Sequence, residues 1–180
     1  MLEILNAPAT VLSMPALPIE KINSATFKLI KDMTKALESA TDPVGVGLAA
    51  PQVGVGLRLF IAKPSEKSKV SVFINPKITS STPRLKKLKR KGLRKLEGCL
   101  SLKDIWGEVE RFPKVTLEFL DEKGVLHSKT FSGFMSTIIQ HEMDHLEGVL
   151  FPKRVLEQKG ILYHSTKDEK NQDIFEEIKI

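Results

Sequence analysis

Apolar residues recur every three to four positions in two stretches of the chain, residues 21–40 and 134–146. This spacing places them on one face of an α-helix, so both stretches predict amphipathic helices. Pro43 follows the first stretch, and the residue before a proline avoids the helical conformation. Ser132 is expected to cap the start of the second helix and Gly148 to end it.

Shorter apolar runs between and after these stretches predict β-strands, and Asp121 to Gly124 predicts a hairpin turn between two of them. Residues 45–52 hold too many glycines and alanines for an ordinary strand. Asn75-Pro76 is expected to end a strand, and Pro152 to stop any helix continuing past that point. The strands are expected at residues 57–62, 70–74, 96–102, 115–120, 125–131 and 174–180.

Many short strands with only two helices favour a single α+β domain over residues 1–180. We expect short, mostly antiparallel strands packed around the second helix, with the first as an N-terminal amphipathic helix. Residues 1–20 hold three prolines and predict an extended, irregular arm.

Composition narrows the class of protein further. The chain has 180 residues, 41% of them hydrophobic, and no apolar run approaches the roughly 18–20 residues that cross a bilayer. The N-terminus lacks the basic and apolar regions of a signal peptide. A single cysteine excludes an intramolecular disulfide and fits a reducing compartment. We therefore expect a cytoplasmic protein with no membrane partner.

The positive charge belongs to one segment. Residues 84–95, called the basic segment below, contain eight lysines and arginines and no acid, so removing them changes the net charge from +6 to −2. Such a run is commonly a solvated surface. The alternative is contact with ribosomal RNA, since clustered cations bind phosphates.

The second predicted helix carries candidate chemistry in the sequence QHEMDHL at residues 140–146. His141 and His145 are four residues apart and share one helix face, with Cβ atoms about 5–6 Å apart, so both imidazoles can bind one metal ion. Glu142 lies further round the helix, where a carboxylate can act as general base toward water on the metal. The alternative is an amphipathic helix whose histidines are merely polar.

A metal site needs a third protein ligand, and Cys99 in the sequence EGCLS (residues 97–101) is a candidate. If Cys99 meets His141 and His145, the site has three protein ligands and one open position. That arrangement is typical of catalytic rather than structural metal sites.

Together with GVGLAAPQ (residues 45–52), these two motifs resemble the peptide deformylase family, whose motifs G-x-G-L-A-A-x-Q, E-G-C-L-S and Q-H-E-x-D-H-L occur in this order. The resemblance is strongest over residues 1–155, and the C-terminal tail, 156–180, is variable in the family. It implies a hydrolase that removes the N-formyl group from the N-terminal formyl-methionine of new polypeptides.

The resemblance also implies a role for each matching residue. Cys99, His141 and His145 would bind one divalent metal ion per chain, Fe²⁺ ahead of Zn²⁺. Glu142 would be the general acid and base. The Gln52 side-chain amide and the Leu100 backbone N–H would stabilise the oxyanion.

Substrate contacts follow from the same motifs. Gly45 and Gly47 would let the backbone approach a peptide bound as an added strand. Val46 and Ile138 would line an apolar pocket for the methionine side chain. Glu97 and Asp144 are candidate partners for the histidines, and the alternatives are an ion pair between Glu97 and Arg111 and a solvated Asp144.

Two other functions compete with deformylation. One is a metallopeptidase of the general H-E-x-x-H class, although the third ligand there usually follows as a downstream His or Glu. The other is a catalytically silent, ribosome-associated binding module. Filled catalytic positions argue against it.

Overall fold

The computed structural model describes residues 2–83, 96–170 and 172–179, so the basic segment lies outside the described residues. Within these ranges are three α-helices and nine β-strands, with short 3₁₀ turns at Thr10–Ser13 and Ala50–Val53. No helix in this part of the chain is long and apolar enough to span a membrane. The elements are α1 (Ser24–Ser39), β1 (Gly47–Ala49), β2 (Leu59–Ala62), β3 (Ser71–Ser81), β4 (Glu97–Cys99), β5 (Leu102–Gly107), β6 (Lys114–Leu120), β7 (Leu126–Ser132), α2 (Gly133–Leu146), α3 (Phe151–Glu157), β8 (Leu162–Lys167) and β9 (Asp173–Glu177).

The strands form two antiparallel sheets, with orders β1-β2-β3-β6-β7 and β4-β5-β8-β9. Helix α2 packs on the first sheet, and its Ile139, Met143 and Leu146 join a buried cluster with Phe60 and Phe73. The predicted α+β class, with mostly antiparallel strands around a central helix, is confirmed.

Helix α1 covers another part of the first sheet. Its first turn is capped by Asn23, whose side chain accepts hydrogen bonds from the backbone N–H groups of Ala25 (3.0 Å) and Thr26 (3.2 Å). Met33 and Leu37 are buried on the face that the apolar spacing predicts. The N-terminal amphipathic helix is therefore confirmed.

Two predictions about strands were wrong. Residues 47–49, within the glycine- and alanine-rich stretch, form β1. Strand β3 does not end at Asn75-Pro76 but continues to Ser81, because one extra residue is absorbed as a bulge between Ile74 and Lys77. Asn75 has φ 49°, and its side chain bonds both the N–H and the carbonyl of Ile19 at 2.8 Å.

Further differences lie in the second half of the chain. The strand expected at 96–102 is two strands, β4 and β5, joined by a turn. Pro152 does not stop helix formation but occupies the first turn of α3, where its missing N–H costs nothing. Strand β8 was not predicted, and β9 is shorter than the run expected at 174–180.

Helix α2 begins and ends close to the predicted residues. Ser132 is at the N-cap position but makes no capping hydrogen bond with its side chain, so that prediction was wrong. Gly148 ends the helix with φ 67°, and its N–H donates to the carbonyl of His145 at 3.1 Å.

Candidate active site

Helix α2 and strand β4 bring the three predicted ligands together. The rings of His141 and His145 have centroids 5.1 Å apart on one face of α2. The Cys99 Sγ, at the end of β4, lies 3.2 Å from His145 Nε2. One ligand atom from each of the three residues lies within 4.8 Å of the others.

This donor set fits a metal ion. One sulfur and two imidazole nitrogens converge, which is the three-ligand pattern of catalytic metal sites. The Nδ1 of His141 contacts Glu97 Oε2 at 3.2 Å, which leaves its Nε2 available for a metal. His145 directs Nε2 to Cys99, and its buried Nδ1 has no hydrogen-bond partner among the described residues.

The two imidazoles differ in electrostatic environment. Burial lowers the pKa of His145 well below its usual value, which favours the neutral ring that a metal requires. Burial acts in the same direction on His141, but hydrogen bonds with Cys99 and Glu97 outweigh it and raise its pKa.

Glu97 makes both of the contacts that the sequence offered as alternatives. It touches His141, and its Oε1 accepts from Arg111 Nε at 2.9 Å. Burial alone would raise the pKa of Glu97, but the bonds from Arg111 and His141 lower it to about 2. Glu97 is therefore an anion that fixes the orientation of His141, a predicted metal ligand.

Within the described residues, the Asp144 side chain makes no hydrogen bond to either predicted ligand histidine, and it is buried rather than solvated. Its Oδ2 accepts from Arg111 Nη1 at 2.6 Å and its Oδ1 from Arg154 Nη2 at 2.8 Å. Arg111 thereby joins β4 to α2 through two carboxylates, and Arg154 adds α3. The role of Arg154 was not predicted, because Arg154 lies on α3, a helix that the sequence did not predict.

Glu142 is 3% exposed and faces the interior beside the ligand cluster. Burial raises the pKa of its carboxyl to about 7. One carboxylate oxygen lies against Gly47, where a Cβ would collide with it and would also lie 2.9 Å from Ile138 Cγ2. Gly47 therefore makes room for Glu142, a reason for this glycine that the sequence did not reveal.

Gln52 is held in the 3₁₀ turn after β1 and is 1% exposed. Its Oε1 accepts from the Ala49 N–H at 2.8 Å. Its Nε2 therefore points the other way, and lies 3.6 Å from Cys99 Sγ and 3.3 Å from Ser101 Oγ. The amide donor is thus directed at the ligand cluster, as an oxyanion donor must be.

A cavity of about 740 Å³ opens beside the cluster and is lined by Cys99, His141, Glu142 and Gln52. Of the other predicted site residues, Gly45, Val46, Gly47, Leu100 and Ile138 also line it, whereas His145 does not. The missing Cβ of Gly45 faces α1, where it would lie 2.7 Å from Leu37 Cδ1. The cavity is also lined by residues that were not predicted from the sequence: Val44, Trp106, Val109, Phe112 and Phe134.

Two strands at the edges of their sheets face this cavity. β1 is the terminal strand of the first sheet and β4 of the second. Gln140 fixes the loop between the sheets, since its Oε1 accepts from the Phe112 N–H and its Nε2 donates to the Phe112 carbonyl, both at 2.9 Å. The motif match alone gave Gln140 no role.

Comparisons with known proteins identify the family of the chain. The sequence model of the family "Polypeptide deformylase" matches residues 1–160. The peptide deformylase of Afipia carboxidovorans is 41% identical over 152 residues, covering 83% of each chain. That of Symbiobacterium thermophilum is 40% identical over 151 residues, 83% of this chain and 64% of the relative's length.

The fold is also similar to solved structures. The peptide deformylase of Thermotoga maritima superimposes with a TM-score of 0.74 at 31% identity, covering 86% of this chain and 97% of the other. The peptide deformylase of Synechococcus elongatus superimposes with a TM-score of 0.75 at 35% identity, covering 85% of this chain and 78% of the other. A family match over most of the chain, relatives near 40% identity and a shared fold lead to one conclusion: the chain belongs to the peptide deformylase family.

Proposed function

We propose that Cys99, His141 and His145 hold the divalent metal ion of the deformylase reaction. The chain is a metal-dependent hydrolase that removes the N-formyl group from the N-terminal formyl-methionine of newly synthesised polypeptides. One observation carries the assignment of these residues: their ligand atoms converge within 4.8 Å, and two of the three residues, Cys99 and His141, line the cavity.

We assign Fe²⁺ to this site, with Zn²⁺ as the competing ion. Imidazole suits both metals, and thiolate favours zinc by affinity, so the choice rests on the resemblance to the family rather than on the donor set. When bound, the ion supplies Lewis-acid chemistry, polarising a carbonyl oxygen and lowering the pKa of water to about 7.

Glu142 is the proposed general acid and base. Its carboxylate takes a proton from the attacking water and later gives that proton to the leaving amine of the peptide. Its position supports this role, since it directly follows His141, is buried and borders the cavity.

Gln52 and Leu100 are the proposed oxyanion donors. The formyl carbon becomes tetrahedral during attack, and its oxygen gains negative charge that fixed N–H groups stabilise. The bond from the Ala49 N–H fixes the Gln52 amide with its Nε2 toward Cys99. Leu100 follows Cys99 directly and lines the same cavity, and its backbone N–H is the second donor.

The peptide is proposed to bind as a strand between β1 and β4. Both strands are terminal in their sheets and line the cavity, which suits main-chain hydrogen bonding by strand addition. Gly45 and Gly47 are the proposed contacts of the peptide on the β1 side, where both line the cavity. Val46 and Ile138 form apolar walls for the methionine side chain.

The test is hydrolysis of two matched peptides. Purified protein reconstituted with Fe²⁺ without oxygen should release formate from formyl-Met-Ala-Ser and leave unblocked Met-Ala-Ser intact. Cleavage of a peptide bond in the unblocked peptide, without formate release, would instead establish the metallopeptidase.

A second proposed partner is the ribosome, in the cytoplasm where new chains emerge. The support is the sequence of the basic segment, with eight cations and no acid. Its cations would bind ribosomal RNA phosphates in a salt-dependent way. Reversing several of these charges should weaken ribosome binding without changing hydrolysis of formyl-Met-Ala-Ser. Unchanged ribosome affinity across a salt series would refute this partner.

A further inference from the structure

Trp106 forms part of the cavity wall next to the metal ligands. It lies opposite Gly98 in the β4–β5 pair, one residue from Cys99. A Cβ at Gly98 would be 2.8 to 3.0 Å from three atoms of the indole, so the ring covers this glycine closely. The same ring lines the cavity that contains Glu142 and His141.

Two residues of the β8–β9 hairpin hold this ring. The indole Nε1 donates to Ser165 Oγ at 3.0 Å, and the Phe175 ring meets the indole edge-on, with centroids 5.8 Å apart at 89°. Ser165 and Phe175 are cross-strand partners, so they present one face to Trp106. The hairpin begins beyond residues 1–160, the part that the family sequence model matches.

Trp106 also borders a second, smaller space. A second cavity of about 120 Å³ is lined by Trp106, Ser165 and Asp173. Gly98, Cys99 and Trp106 border both this cavity and the larger one. Because an indole is large and its N–H requires a partner, loss of the hairpin contacts would let the ring turn into this space.

We propose that the C-terminal hairpin is a functional part of the peptide site, with Ser165 and Phe175 as positioning residues that hold Trp106 against the peptide. This inference rests on the proposed function: the formyl end is placed at the ligand cluster, so the residues after methionine must run along the cavity wall. The flat indole face offers them an apolar contact. The hairpin therefore acts on binding of the following residues rather than on the chemical step.

The first experiment compares two substrates in Ser165→Ala and Phe175→Ala. The KM for formyl-Met-Ala-Ser should rise roughly three- to tenfold, the range expected for one lost hydrogen bond or aromatic contact, with kcat within about twofold of wild type. Formyl-methionine amide, which lacks the following residues, should be hydrolysed as by wild type.

Thr166→Ala and Ile174→Ala are matched controls. These residues are the next cross-strand pair of the same hairpin and are exposed on its other face. Both should leave KM unchanged for both substrates. Equal increases in the control and test variants, or none in the test variants, would overturn the proposal.

Intrinsic fluorescence provides a second measurement, which tests the proposal even if some variants fold poorly. Trp106 is the single tryptophan of the chain, so intrinsic fluorescence reports its surroundings directly. Emission should change when wild type binds unblocked Met-Ala-Ser, and should be shifted in Ser165→Ala before any peptide is added. Unchanged emission at saturating peptide would refute contact with Trp106.

A double-mutant cycle distinguishes positioning of the Trp106 indole by Ser165 from a general effect of Ser165 on stability. In Trp106→Phe, which has no N–H to donate, Ser165→Ala should produce no further change in KM; additive increases would refute positioning through the indole. Wild type that releases no formate would refute the proposed function, whereas active wild type with unchanged KM in the variants would refute this inference alone.

Discussion

Gly47 and Glu142 are in direct contact, with the carboxylate of Glu142 occupying the space that a Cβ at residue 47 would need. We expect Gly47→Ala to displace the carboxylate and lower kcat on the order of 10²–10⁴-fold, the usual contribution of a general acid–base group. Gly56→Ala is the control, since a Cβ there meets nothing within 4 Å. Wild-type kcat in Gly47→Ala would show that the carboxylate position is unimportant.

Replacing Glu142 itself separates proton transfer from metal binding. Glu142→Gln keeps the size of the side chain and removes its basicity, so kcat should fall on the order of 10²–10⁴-fold. Elemental analysis should still find one metal ion per chain, because the three ligands remain. A variant that holds the metal and keeps full activity would contradict the proposed mechanism. Glu147→Gln, at the exposed end of the same helix, should behave as wild type.

The oxyanion role of Gln52 has an equally specific test. Gln52→Glu keeps an acceptor for the Ala49 N–H and removes both amide donors, so kcat should fall by about 10²–10³. Gln158→Glu is a matched control, because Gln158 also accepts a backbone hydrogen bond, from the Glu110 N–H at 2.7 Å, but lies away from the ligand cluster. Equal decreases in kcat in the two variants would contradict the assignment of Gln52 as an oxyanion donor.

Arg111 is expected to matter for stability. Its side chain is 9% exposed and pairs with both Glu97 and Asp144, so Arg111→Met leaves two buried carboxylates short of a partner. The free energy of unfolding in urea should fall by about 3–5 kcal/mol. Lys63→Met breaks the more exposed pair with Glu38 and should cost at most about 1 kcal/mol. Similar losses would show that the Arg111 pairs contribute no more than surface ones.

Metal removal tests the ligand set directly. Treatment with a chelator should abolish formate release, and Fe²⁺ added without oxygen should restore it. Cys99→Ser should reduce the affinity for the ion, because a hydroxyl replaces a thiolate. Elemental analysis of protein purified without oxygen then identifies the metal. Full activity of fully chelated protein would refute a metal-dependent reaction.

The local sequence was enough to predict that the two histidines share a helix face. It was not enough to predict the strands and cavity walls around them. His141 and His145 lie close together because of helix geometry alone, so the residues of one helix were sufficient to predict their position. The course of β3 past Asn75 depends on Ile19, which is 56 residues away. The cavity wall at Trp106 depends on pairing between β5 and β8. β8 is a short strand whose mixture of apolar and polar residues does not predict a strand until its pairing partner is known.

The edge strands β1 and β4 have three residues each. Long open edges invite pairing with other protein molecules, and short ones offer too few hydrogen bonds to hold a foreign strand. Backbone pairing alone would therefore hold any peptide weakly and briefly. Under the proposed binding mode, selection then depends on the group at the chain end and on side chains in the cavity, and an extended segment that satisfies neither is released quickly.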